Sequence, residues 1–181
     1  MPSFADLDLI ITGIIDGPLT GGFPKAVELY CLNDIPSAEL ARYQLAINNN
    51  GGGLPFNSVS NIDATSLTAG DFYYISQETS GFTTFFGFGP DQTGGVNHNG
   101  DDAFFILKDG VIVDQIGLLN VDGTGEPWDT VDGWAYRMDG SGPDSNGFVE
   151  SSWTFKKNIW NGENTNADAG SDAFPIGTYT P

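Results

Sequence analysis

Apolar and polar residues alternate in short runs along the chain, each bounded by Gly, Pro, Asn or Asp, which is the signature of β-strands joined by turns. The first run, Leu7 to Ile15, places Leu7, Leu9 and Ile11 on one face. Ala26 to Leu32 sets Val27, Leu29 and Cys31 on one side and Glu28 and Tyr30 on the other. Arg42 to Ile47 ends at Asn48-Asn49-Asn50-Gly51-Gly52-Gly53, where the backbone must turn or bulge. Phe72 to Ser76 follows the break at Ala69-Gly70-Asp71, and Trp134 to Met138 and Trp153 to Lys156 alternate large and polar residues. The sharpest local signal is a hairpin: Ala103 to Lys108 and Val111 to Ile116 flank Asp109-Gly110, a pair suited to the two positive φ angles of a type I′ turn.

Helix signals are sparse. Ser37 is placed to cap one turn running through Leu40, and Phe82, Phe85 and Phe86 fall at i, i+3 and i+4, anchoring a second turn to the core. Gly and Asp punctuate Asn120 to Pro127, but apolar patterning resumes at Trp128 and Trp134, and Phe174, Ile176 and Tyr179 supply anchors in the tail. With no internal repeat and no linker-like shift in composition, the pattern predicts one domain over residues 1–181, an all-β sandwich with one or two short helical turns.

Composition narrows the function classes. The 181 residues carry 24 acidic side chains against 6 basic ones, a net charge of -18, which excludes a nucleic-acid binder built on Lys and Arg and a polybasic membrane anchor. No apolar run approaches the roughly 20 residues that span a bilayer, so no membrane insertion is expected. Of the acids, 18 are Asp and 6 are Glu, which places the charge in turns, where short side chains bond back to the backbone. The start, Met1-Pro2-Ser3-Phe4-Ala5-Asp6-Leu7-Asp8, has no positively charged region ahead of its apolar stretch and makes a poor secretory signal. Cys31 is alone, which rules out an internal disulfide, and its strand context reads as a buried small hydrophobe.

Several segments together resemble a known family. Asp8-Leu9-Ile10-Ile11-Thr12-Gly13 followed by Ala26-Val27-Glu28-Leu29-Tyr30 is similar to the opening two strands of lamin-tail domains. Ala69-Gly70-Asp71-Phe72-Tyr73-Tyr74-Ile75 and the Asn99-Gly100-Asp101-Asp102-Ala103 lead into the hairpin continue the likeness. The resemblance implies an immunoglobulin-like sandwich core over residues 7–118 with a packed C-terminal extension over 119–181. Asn120-Val121-Asp122-Gly123-Thr124-Gly125-Glu126-Pro127-Trp128 and Asp132-Gly133-Trp134-Ala135-Tyr136-Arg137 resemble a bacterial and phage subgroup found in secreted nucleases and surface proteins. Such domains are interaction modules, so the resemblance implies no catalytic residues.

Candidate chemistry is thin. His98, the lone histidine, has no nucleophile placed beside it by any motif and reads as a solvent-facing loop residue. One His and one Cys cannot close a zinc site. Asp101 with Asp102, Asp129 with Asp132, and Asp139 with Asp144 each form a carboxylate couple on paper, but no cleft is indicated to push their pKa values apart, and they read as solvated turn aspartates. Calcium, which takes carboxylate and carbonyl oxygens, is the sharper alternative at Asp101, Asp102, Asn120 and Asp122; ordinary Asx turns compete with it, and no other cofactor is implied. The EF-hand spacing is not met from Asp139 to Glu150, and Gly51 to Gly53 and Gly94-Gly95 lack the Lys of a phosphate loop. Among the aromatics, Trp128 and Trp160 lie in loop-like stretches and are the interface candidates.

The expected function is a non-enzymatic structural or interaction module of an extracellular or virion-surface assembly, decorating or adhesive, whose protein partners are copies of itself or a capsid or surface protein. An accessory domain of a secreted nuclease and a calcium-dependent glycan-binding module are the alternatives.

Overall fold

The computed structural model describes residues 7–181; the leader reading concerns a segment of which residues 1–6 lie outside that range. Among the described residues, ten strands form two sheets. They are β1 (Leu9–Leu19), β2 (Phe23–Cys31), β3 (Tyr43–Asn48), β4 (Ser58–Asn61), β5 (Phe72–Ser76), β6 (Gln92–Thr93), β7 (Ala103–Lys108), β8 (Val111–Ile116), β9 (Gly133–Arg137) and β10 (Trp153–Lys156). One sheet has six strands in the order β10-β9-β1-β2-β5-β6, the other four in the order β4-β3-β7-β8. All pairs are antiparallel except the two-residue match of β5 with β6. The fold is an all-β sandwich. Two of its strands, β9 and β10, come from the segment after residue 118 and extend the larger sheet through β1.

The hairpin forms as its turn chemistry dictates: Asp109 and Gly110 take φ of 51° and 75° between β7 and β8. Helix α1 (Ser37–Leu40) begins one residue earlier than expected, with Pro36 at the cap position and no side-chain cap, so Ser37 is its first residue and not its cap. Helix α2 (Thr79–Phe86) is capped by the Glu78 carboxylate, which accepts the Gly81 amide, and it buries Phe82 and Phe85.

Leu7, Leu9, Ile11, Val27, Leu29 and Cys31 pack between the sheets against Leu45, Ile47, Phe104 and Ile106, as their alternation requires. The opposite strand faces are not left to water. Ala46, Ala103, Phe105 and Leu107 lie on the outer face of the small sheet, covered by Trp128 with Phe56, Leu119 and Val121. Ile10, Ile15, Ala26 and Tyr30 lie on the outer face of the large sheet, covered by α2 and by Trp160, Phe174 and Tyr179. A bulge between Ile11 and Gly13 switches β1 so that Ile14, not Gly13, returns to the interior. Gly13 then faces the tail, where a Cβ would overlap the Phe174 ring.

Candidate functional site

Four chain segments meet at one end of the sandwich, where the edge of the small sheet approaches β5 and β6. The turn leaving β3 supplies Asn49 and Asn50, the approach to β4 supplies Asn57 and Ser58, the exit from β5 supplies Gln77, and the stretch after β6 supplies Gly95 and Asn97. These residues line an open cleft of about 460 Å³, every one of them polar and uncharged or glycine. Its amides are held from behind. The buried Asp102 carboxylate accepts Asn49 Nδ2 at 2.7 Å and the Asn50 amide at 2.9 Å. Asn49 Nδ2 also donates to the Asn97 carbonyl at 3.2 Å, while its backbone amide donates to Asn57 Oδ1 at 2.7 Å. The Gln77 Oε1 accepts the Val96 amide at 3.2 Å, and Ser58 Oγ donates to the Gly95 carbonyl at 3.1 Å.

Behind this cleft sits His98, and here the sequence reading is corrected. The ring is 3% exposed, edge-on to Phe104, with Nδ1 accepting the Gly100 amide at 3.3 Å. Burial, with the Lys25 ammonium beside it, pushes its pKa down to about 3, against the pull of the Ile15 carbonyl. Lys25 in turn pairs with Asp16 at 3.0 Å and donates to the His98 carbonyl, so this corner is a structural knot.

Of the four residues expected to hold calcium, Asp101 and Asp102 are adjacent in the chain, and protein donors take up several of the carboxylate oxygens. Asp102 is spent on the Asn49–Asn50 turn and on the Asn99 amide, and burial raises its carboxyl. Asp101 Oδ2 accepts the Thr124 hydroxyl at 2.7 Å, and its backbone carbonyl accepts the Gly123 amide; Oδ1 is buried without a protein donor. Asp122 is exposed, and the Thr124 amide donating to it at 2.9 Å holds its carboxyl low. Asn120 packs its side chain against Gly53. Among the described residues, no group of three or more His, Cys, Asp or Glu side chains is arranged to hold a metal ion.

The two expected interface tryptophans are corrected as well. Trp128 and Trp160 are 3% and 5% exposed, buried as the lids of the two outer sheet faces. The carboxylate couples dissolve for similar reasons. Asp129, Asp144, Asp101 and Asp102 are buried, not solvated. Asp129 sits low despite burial, because the Gly125 and Val131 amides and the Lys157 ammonium favour its charge, while Asp132 is exposed. Asp144 joins a buried knot in which Arg137 binds Asp114 through both carboxylate oxygens at 2.7 and 2.8 Å, donates to the Ile11 carbonyl and stacks on Trp153. Asp139 instead accepts the Thr180 amide.

Sequence reasoning missed the cleft. The available signal was the recurrence of Asn and Gln at 48–50, 57, 77 and 97, whose convergence depends on how the two sheets stack. Comparison of the chain with family models, curated proteins and solved structures returned no match.

Proposed function

We propose that the chain is a non-enzymatic structural and interaction module of an extracellular or virion-surface assembly, of the decoration or adhesion kind implied by the lamin-tail resemblance. The observation that carries this reading is the use made of the two side chains best suited to nucleophilic or base chemistry. Cys31 is buried, and burial with the Asp71 charge nearby pushes its thiol up to about 12, far from the thiolate that attacks. His98 is buried and neutral, with one ring nitrogen committed to the Gly100 amide. Both are enclosed within the fold and neither is held in a reactive form, so recognition by surfaces is the activity that fits.

The sheet borders supply such surfaces. β4 and β8 end the small sheet and β6 and β10 the large one, with Val59 of β4 and Val111 of β8 exposed. Unpaired strand edges are templates for a second copy or a partner strand. Among the described residues no helix is long and apolar enough to cross a membrane. Light scattering across a concentration series, with immunolabelling of intact particles and cell surfaces, tests the reading. Concentration-dependent association or particle-bound label supports it. A chain that stays monomeric and labels neither particles nor surfaces overturns it.

A further inference from the structure

We infer that the cleft between the β3–β4 turn and the segment after β6 binds a neutral saccharide. The inference deepens the interaction-module reading and rests on it. Hydrogen bonds inside the protein fix which atom each lining side chain turns outward. Asn49 spends Nδ2 on Asp102 and Asn97, which leaves Oδ1 as an acceptor. Asn57 spends Oδ1 on the Asn49 amide, which leaves Nδ2 as a donor. Gln77 spends Oε1 on the Val96 amide, which leaves Nε2 as a second donor. Ser58 donates its proton to the Gly95 carbonyl and keeps its lone pairs. Two donors and two acceptors thus face one cleft, and the side chains of Asn50 and Asn97 add adaptable amides at its rim. Vicinal sugar hydroxyls each donate and accept, so this mixture suits them.

Charge selects among sugars. No cation lines the cleft, a carboxylate lies behind it, and the protein carries -18 overall, so sulfated, phosphorylated and uronic acid ligands are repelled. A cleft of about 460 Å³ falls in the range that small ligands occupy. With amides and hydroxyls alone as contacts, affinity for one site is on the order of millimolar. Asp102 is a positioning residue: it orients Asn49 and Asn50 without facing the ligand.

The test uses the full chain, labelled with ¹⁵N, titrated with free glucose, galactose, mannose and N-acetylglucosamine disaccharides, and in a second arm presented to dense immobilised glycans. Side-chain amide signals of Asn57 and Gln77 should shift with a neutral sugar and stay put with sialyllactose. The variant Asn57→Asp/Gln77→Glu keeps both internal acceptors and removes both outward donors, so it should fold normally and bind at least about tenfold more weakly. Response to free sugar identifies a soluble ligand; response only on the dense surface identifies a displayed glycan read through avidity. Silence in both arms overturns the inference, as does undiminished binding by the variant or equal binding of anionic glycans. Particle association that persists without saccharide binding overturns this inference alone and leaves the module reading standing.

Discussion

A buried histidine and three buried carboxyl groups make opposite demands on pH. His98 is neutral in the fold with a pKa near 3, against about 6.5 in the unfolded chain. Its contribution to stability is therefore complete above pH 6.5 and is lost as pH falls toward 3, at about 1.4 kcal/mol per unit while only the unfolded state binds the proton. Glu28, Asp16 and Asp102, raised by burial, act in the other direction and favour the fold at lower pH. The clean measurement is thus the histidine's own NMR titration: its ring signals should show no midpoint between pH 8 and 5. A midpoint near 6.5 would place the ring in water and remove it from the knot with Lys25. Arg137 and Asp114 are both fully buried and bridge the two sheets. Arg137→Met leaves a carboxylate buried without its counter-charge and should cost roughly 3–5 kcal/mol in urea unfolding. Adding Asp114→Asn should recover part of that loss, because the charge disappears while an acceptor remains for the Ile11 amide.

Among the elements, the strands with a buried, alternating face were readable, and those without one were not. β2 and the β7–β8 hairpin announce themselves through Val27, Leu29 and Cys31 and through Asp109-Gly110. β4 is Ser-Val-Ser-Asn on an edge and β6 is two residues long, so neither carries a periodic signal. The cleft escaped for a different reason, since Asn57 and Gln77 come to line one cleft only through the stacking of two sheets. Trp128 and Trp160 were misread because a loop aromatic reveals its role only once the sheet face beneath it is known. The tail shows how tightly such a cover is specified. Phe174 meets the rings of Tyr136 at 5.2 Å and Trp134 at 6.0 Å, and the Gly177 amide donates to the buried Glu28 at 2.8 Å. Phe174→Ala should cost about 3–5 kcal/mol by chemical denaturation. Gly13→Ala should cost about 1–3 kcal/mol in the native background, because its methyl needs the space of that ring. In the Phe174→Ala background the Gly13→Ala penalty should largely vanish; equal penalties in both would mean the tail does not press on β1.

Over the whole molecule, charge is distributed in a way that sets the response to salt. Each of the six basic residues has an acidic partner: Lys25 with Asp16, Arg42 with Glu39 and Asp109, Lys108 with Asp8 and Glu39, Arg137 with Asp114, Lys156 with Asp172, and Lys157 with Asp129. Most of the remaining acids among the described residues, Asp34, Asp63, Asp91 and Glu126 among them, are exposed and form no salt bridge with a basic side chain. Added salt acts on both populations. It weakens the exposed pairs of Arg42 and Lys156, but such pairs contribute only about 0–1 kcal/mol each. The Arg137 pair is fully buried and is screened far less. Repulsion among the unpaired carboxylates acts over longer distances, and a Debye length of about 10 Å at 0.1 M removes most of it. The balance favours screening, so the melting temperature should climb as sodium chloride is raised from a few millimolar through the physiological range and then level off. Calorimetric melts over that series decide the matter: a melting temperature that falls with salt would mean the ion pairs, and not the unbalanced acids, dominate the electrostatics of this fold.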